Sequence, residues 1–148
     1  GAESPFSNWY LSDFVVDNVR FSSGEQWMMY AKAELFSDEE MKAKILTTSS
    51  PRMLKRYGRR VKPFDTDAWD ANKYRLVKRG LMEKFRQNPV LTEALFQTDD
   101  KIIVEASPYD RIWGIGIGAG HKDINDPGKW KGKNLLGQVL MEIRNELR

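Results

Sequence analysis

A chain of 148 residues, 41% apolar and 30% charged, is long enough for one domain with a hydrophobic core and has a globular rather than a disordered balance. The lack of cysteine excludes disulfides, thiolate metal sites and cysteine nucleophiles, and fits an intracellular, cytoplasmic setting. A net charge of +3 is too small to argue for nucleic acid by itself, and no apolar run approaches the roughly 18–20 residues of a membrane span.

The opening "GAESP" reads as a cloning remnant or a disordered start over residues 1–6, with one domain over residues 7–148 and no visible signal peptide. "FVVDNVRF" (Phe14–Phe21) predicts a short strand or hairpin around an Asp-Asn turn. "SSGE" has the capping-box form at Ser22 and Glu25 and opens a helix to about Leu35. "SDEE" from Ser37 repeats it for a helix ending near Thr47. In "SSPRMLKRYG" a serine cap and a proline in the first turn start a third helix, with Gly58 as its stop.

A longer helix follows over Asp67–Arg86, then a short one over Val90–Gln97. "KIIVEAS" (Lys101–Ser107) is the clearest strand, being rich in β-branched residues. A glycine-studded loop leads into an amphipathic helix with Leu135, Val139, Leu140, Ile143 and Leu147 on one side. The fold class is α+β, mainly helical with a small sheet.

The stretch "PRMLKRYGRRVK" (Pro51–Lys62) carries six cations and no acid. It reads as a solvated basic face, or as a phosphate-facing patch should a site lie nearby. The lone His121 argues against a histidine metal centre or a serine triad. Glycines 114, 116, 118 and 120 lack the Gly-x-Gly-x-x-Gly spacing of a dinucleotide fold. They either bring backbone close to a ligand or make a tight turn.

Two further patterns carry possible chemistry. Glu25 and Lys32 are seven residues apart, about 700° of helical rotation, so they lie about 20° from each other and two turns apart. That is too far for an i,i+4 ion pair, and the alternatives are a helix cap with a solvated lysine or a catalytic pair. Trp69 and Lys73 are spaced i,i+4, as packing or as a ring platform beside an amine, while Asp110 and Trp113 mark the exit of the expected strand.

"SNWY", "SGEQWMMYAKA", "YGRRV", a tryptophan followed by "NKY", "LMEKF", "IVEASPYDRIWGIG" and "NLLGQVLME" occur in that order, and the chain thereby resembles the NADAR (YbiA-like) superfamily over nearly its whole length. The resemblance implies an α+β fold that binds ADP-ribose-like or ribose-phosphate ligands and cleaves N-glycosidic bonds. It implies either removal of ADP-ribose from guanine bases or hydrolysis of ribosylamino-pyrimidine riboflavin intermediates. The extra "INDPGKW" before "KGKNLLG" resembles the ADP-ribosylguanine branch more than the shorter riboflavin enzymes.

By the same resemblance Lys32, Glu25 and Asp110 are the catalytic candidates, and Arg59, Trp69, Lys73, Trp113, Gly114 and Asn134 the substrate-binding ones. No cofactor or metal is implied. The implied partners are ADP-ribosylated guanine, ADP-ribose as product and a cognate ADP-ribosyltransferase toxin, with no membrane. A non-catalytic ADP-ribose reader is the non-enzyme alternative.

Overall fold

The computed structural model describes residues 4–148. The expectation for residues 1–6 thus lies partly outside the described residues. Six α-helices, one short 3-10 helix (Pro127–Lys129) and one two-stranded antiparallel sheet are found among them, in two units, residues 4–92 and 93–148.

In the first unit β1 (Phe14–Val16) and β2 (Val19–Phe21) form the expected hairpin. Its turn residues Asp17 and Asn18 both have positive φ, the twist that a two-residue hairpin requires. Phe14 stacks on its cross-strand partner Phe21, and the edge of β1 is closed by Gln87, whose amide exchanges two 2.8 Å hydrogen bonds with Val15. Phe21 meets Trp27 and Tyr30 edge-on at 5.2 and 5.0 Å, the aromatic centre of this unit's core.

Helix α1 (Gly24–Leu35) begins one residue later than the Ser22–Glu25 box implied. Ser23 is the N-cap, accepting from Gln26 N, and the Gln26 side-chain oxygen accepts from Ser22 N at 2.7 Å. Glu25 is therefore not the capping carboxylate. α2 (Glu39–Ile45) is likewise capped by Asp38 rather than Ser37. The second Asp38 oxygen accepts from Lys62 N at 2.9 Å, tying the start of α2 to a segment 24 residues further along.

α3 (Pro51–Arg59) has the serine cap, Ser50, and its proline in the first turn. Gly58 does not stop it but lies buried inside it, where an added methyl would collide with Met29 Sδ. The glycine thus sets how closely α3 crosses α1. α4 (Thr66–Arg86), capped by Asp65, turns Lys73, Val77, Leu81, Lys84 and Phe85 inward at helical spacing. Trp27 Nε1 donates to Leu76 O at 2.8 Å and ties α1 to α4.

α5 (Pro89–Phe96) leads into the second unit, which ends in α6 (Leu135–Leu147). Leu136, Val139, Leu140 and Ile143 are buried, and Leu135 and Leu147 half-buried. The expected strand at Lys101–Ser107 does not form. It is irregular and pairs with no strand among the described residues, and its backbone is satisfied otherwise: Asn134 accepts from Glu105 N and donates to Ile103 O, both at 2.9 Å, while Ile115 N donates to Glu105 O.

Candidate active site

α1 carries the Glu25–Lys32 pair. At the second helical position Glu25 is only 6% exposed, and its N–H donates to Asn8 O at 2.8 Å. Lys32, half-buried two turns on, has its ammonium 4.7 Å from the centroid of the Phe64 ring. Burial lowers the Lys32 pKa below the usual lysine range, and the Glu25 charge opposes that with a smaller upward pull. The two side chains are thus electrically coupled across two turns, with Met29 between them pressed against Gly58. A lysine deprotonated more easily than usual beside a buried carboxylate can run amine and proton-transfer chemistry.

The other first-unit candidates lie on α3 and α4. Lys73 is 8% exposed, and its ammonium goes to Asp70 at 2.8 Å rather than over the Trp69 ring. Trp69 is half-buried on α4, and Arg59 is exposed on α3.

In the second unit Asp110 Oδ1 accepts from Ile112 N and Trp113 N at 3.0 and 2.8 Å, which fixes the loop after residues 101–107. Trp113 is 9% exposed. At Gly114 a Cβ would sit 2.8 Å from Asp110 O and 2.9 Å from Glu105 O, so this glycine serves a close backbone crossing; a Cβ added at Gly120 would meet nothing within 4 Å. Asn134, in the left-handed region at φ 54°, spends its amide on residues 103 and 105 and donates its N–H to Gly114 O. It holds this loop together.

Sequence reading missed Phe64, Glu105 and Asn8. Burial pushes the Glu105 carboxyl up, and the Asp110 charge adds to it. A carboxylate inside a β-branched run before the glycines was its signal. Asn8 sits against the start of α1, and its buried Oδ1 has no hydrogen-bond partner among the described residues. No group of three or more histidine, aspartate or glutamate side chains that could hold a metal is found among them. No helix among the described residues is long and apolar enough to cross a membrane.

The NADAR domain matches residues 1–148, and the chain belongs to this family. It is similar to N-glycosidase R617 of Acanthamoeba polyphaga mimivirus, 45% identical over 95% of this chain and 86% of the relative. N-glycosidase YbiA of Escherichia coli is 34% identical over 96% of this chain and 80% of its own. The solution NMR structure of that protein superposes with a TM-score of 0.78, covering 97% of this chain and 77% of the other. A riboflavin biosynthesis protein of Vibrio vulnificus is 29% identical over 96% of this chain, which spans 35% of that relative.

Proposed function

We propose that the protein is an N-glycosidase that removes ADP-ribose from guanine, with Lys32 as nucleophile. The carrying observation is the half-buried Lys32, its pKa lowered by burial, coupled to the buried carboxylate of Glu25. The naming of R617 and YbiA as N-glycosidases supports the reaction class.

In the ring-opened substrate, ribose C1 is joined to the guanine amine as an iminium. Neutral Lys32 Nζ adds to C1, and a proton passes from Nζ to the guanine nitrogen through Glu25. The C1–guanine bond then breaks, guanine leaves with that electron pair, and C1 stays joined to Lys32 as an imine. Water adds to C1, Glu25 moves its proton, and the C1–Nζ bond breaks to free ADP-ribose and the lysine. In a direct route, Glu25 activates water and Lys32 stabilises charge. Arg59 is a fork for the phosphates, and half-buried Trp69 has more free ring surface for stacking on guanine than Trp113.

The test is release of ADP-ribose from guanine-ADP-ribosylated single-stranded DNA, followed by chromatography, with borohydride added in a parallel arm. Wild type should release product and, with borohydride, gain a ribose-containing adduct on the Lys32 peptide. Lys32→Ala and Glu25→Gln should each lose release. Full activity in both variants would remove the site assignment, and release without an adduct would favour direct water attack. Turnover of ribosylamino-pyrimidines alone would move the substrate to the riboflavin class.

A further inference from the structure

The glycosidase chemistry uses Arg59 alone of the cations of α3, yet these cations share one geometry. Arg52, Lys55, Arg56, Arg59 and Arg60 follow one another at i, i+3, i+4, i+7 and i+8, so they form one stripe about 12 Å long. All five, and Lys62 beyond them, are exposed. None is in an ion pair among the described residues, whereas Lys42, Lys44, Lys73, Arg79 and Arg86 of the same unit all have carboxylate partners. Five like charges on one short helix face repel one another, an arrangement that an anionic partner relieves.

We infer that this stripe docks the sugar-phosphate backbone of a single-stranded nucleic acid beside the Glu25–Lys32 face. The inference rests on the reading proposed above and adds to it the surface that would hold the strand. Three observations select the partner. Four of the six cations are arginines, whose planar forks suit phosphate oxygens. The buried face of α3, Leu54 and Gly58, packs within the unit, so the helix has no free apolar face to insert into a lipid surface. Finally, α3 crosses α1 at Gly58 and Met29, and Met29 stands between Glu25 and Lys32, so a strand lying along the outer side of α3 passes about one helix diameter, ~10 Å, from that pair.

Anisotropy of an unmodified labelled oligonucleotide of about 20 bases, titrated between roughly 0.05 and 0.3 M salt, tests this without any turnover. Wild type should bind with an affinity that falls linearly on log–log axes. The variant Arg52→Gln/Lys55→Gln/Arg56→Gln should reduce that slope by about 2 and weaken binding about a hundredfold near 0.1 M salt, at about 0.7 per phosphate contact. A control of equal charge loss, Lys101→Gln/Lys122→Gln/Lys129→Gln, alters exposed cations of the second unit and should leave the slope within one contact of wild type.

Equal losses in both triple variants, or no salt-dependent binding by wild type, would overturn the inference. So would capture by anionic phosphatidylglycerol vesicles through the same three residues with no capture of the oligonucleotide. In a second arm, turnover of ADP-ribosylated oligonucleotide should fall with the α3 variant while turnover of the ADP-ribosylated mononucleotide is unchanged; equal falls on both would also overturn it. Should wild type turn over neither, the glycosidase reading fails, and the binding arm still decides the stripe.

Discussion

Lys32 lies with its ammonium 4.7 Å from the centroid of the Phe64 ring, so an aromatic from the segment between α3 and α4 covers the half-buried amine. A ring face attracts the ammonium by about 0.5–1 kcal/mol while the burial it contributes repels it. Burial wins, because the Lys32 pKa is lowered overall.

Phe64→Leu keeps the apolar cover and removes the ring face, so the Lys32 pKa should fall further. Glu25→Gln should push it the same way, because the Glu25 charge is what raises it. The pH dependence of Lys32 acylation by an amine-reactive reagent, read by peptide mass spectrometry, measures both. With neutral Lys32 as nucleophile, the rising limb of kcat/KM against pH should move to lower pH in Phe64→Leu. An upward shift in either variant would contradict this electrostatic account.

Gly58→Ala sets two terms against each other. Alanine is the better helix former by about 1 kcal/mol, but its methyl displaces the Met29 side chain. Stability should therefore stay within about 1 kcal/mol of wild type while activity falls, since Met29 lies between Glu25 and Lys32. Urea unfolding and kcat/KM together separate the two effects.

Lys84, 1% exposed, donates to Pro5 O and Ser7 O at 3.3 and 3.2 Å, and burial lowers its pKa to about 8. Below that pH, folded and unfolded chains both hold the proton, and this group adds no pH dependence. Between pH about 8 and 10.5 the unfolded chain binds more protons, so stability should rise with pH, by up to about 3 kcal/mol in all. Lys84→Met should lack this rise. The stability difference between the two proteins in urea, followed across that window, is the measurement, and an unchanged difference would refute it.

Asn134→Ala should cost about 2–3 kcal/mol, because Glu105 N and Ile103 O both lose their partner. Asn134→Gly should recover little, since it keeps the left-handed backbone but not the amide clip. Amide hydrogen exchange at residues 103–105 should quicken in both variants more than in α6.

The hairpin was legible because alternation and an Asp-Asn turn are local signals. The helices were legible to within a residue or two from their caps and prolines. Cap register was misread where two acceptors stood side by side. Ser22 and Ser23 compete, and the deciding contacts are those of Gln26 with Ile45 O and Thr48 O, distant in sequence. Asp38 prevails over Ser37 and uses its second oxygen on Lys62 N.

Lys101–Ser107 reads as a strand because its side chains suit one, but an asparagine thirty residues away supplies the partners a neighbouring strand would have given. Helical arithmetic placed Glu25 and Lys32 on one face. It could not reveal the Phe64 cover, which depends on where the chain turns after α3.

The bond from Trp27 Nε1 to Leu76 O also bears on synthesis order. While the chain is being made, α1 emerges long before the helix that covers it. Phe21, Trp27 and Tyr30, all buried at the end, stay open to solvent until α4 has been added. That window makes α1 the segment through which an unfinished copy would be recognised by a chaperone or would stick to another nascent chain.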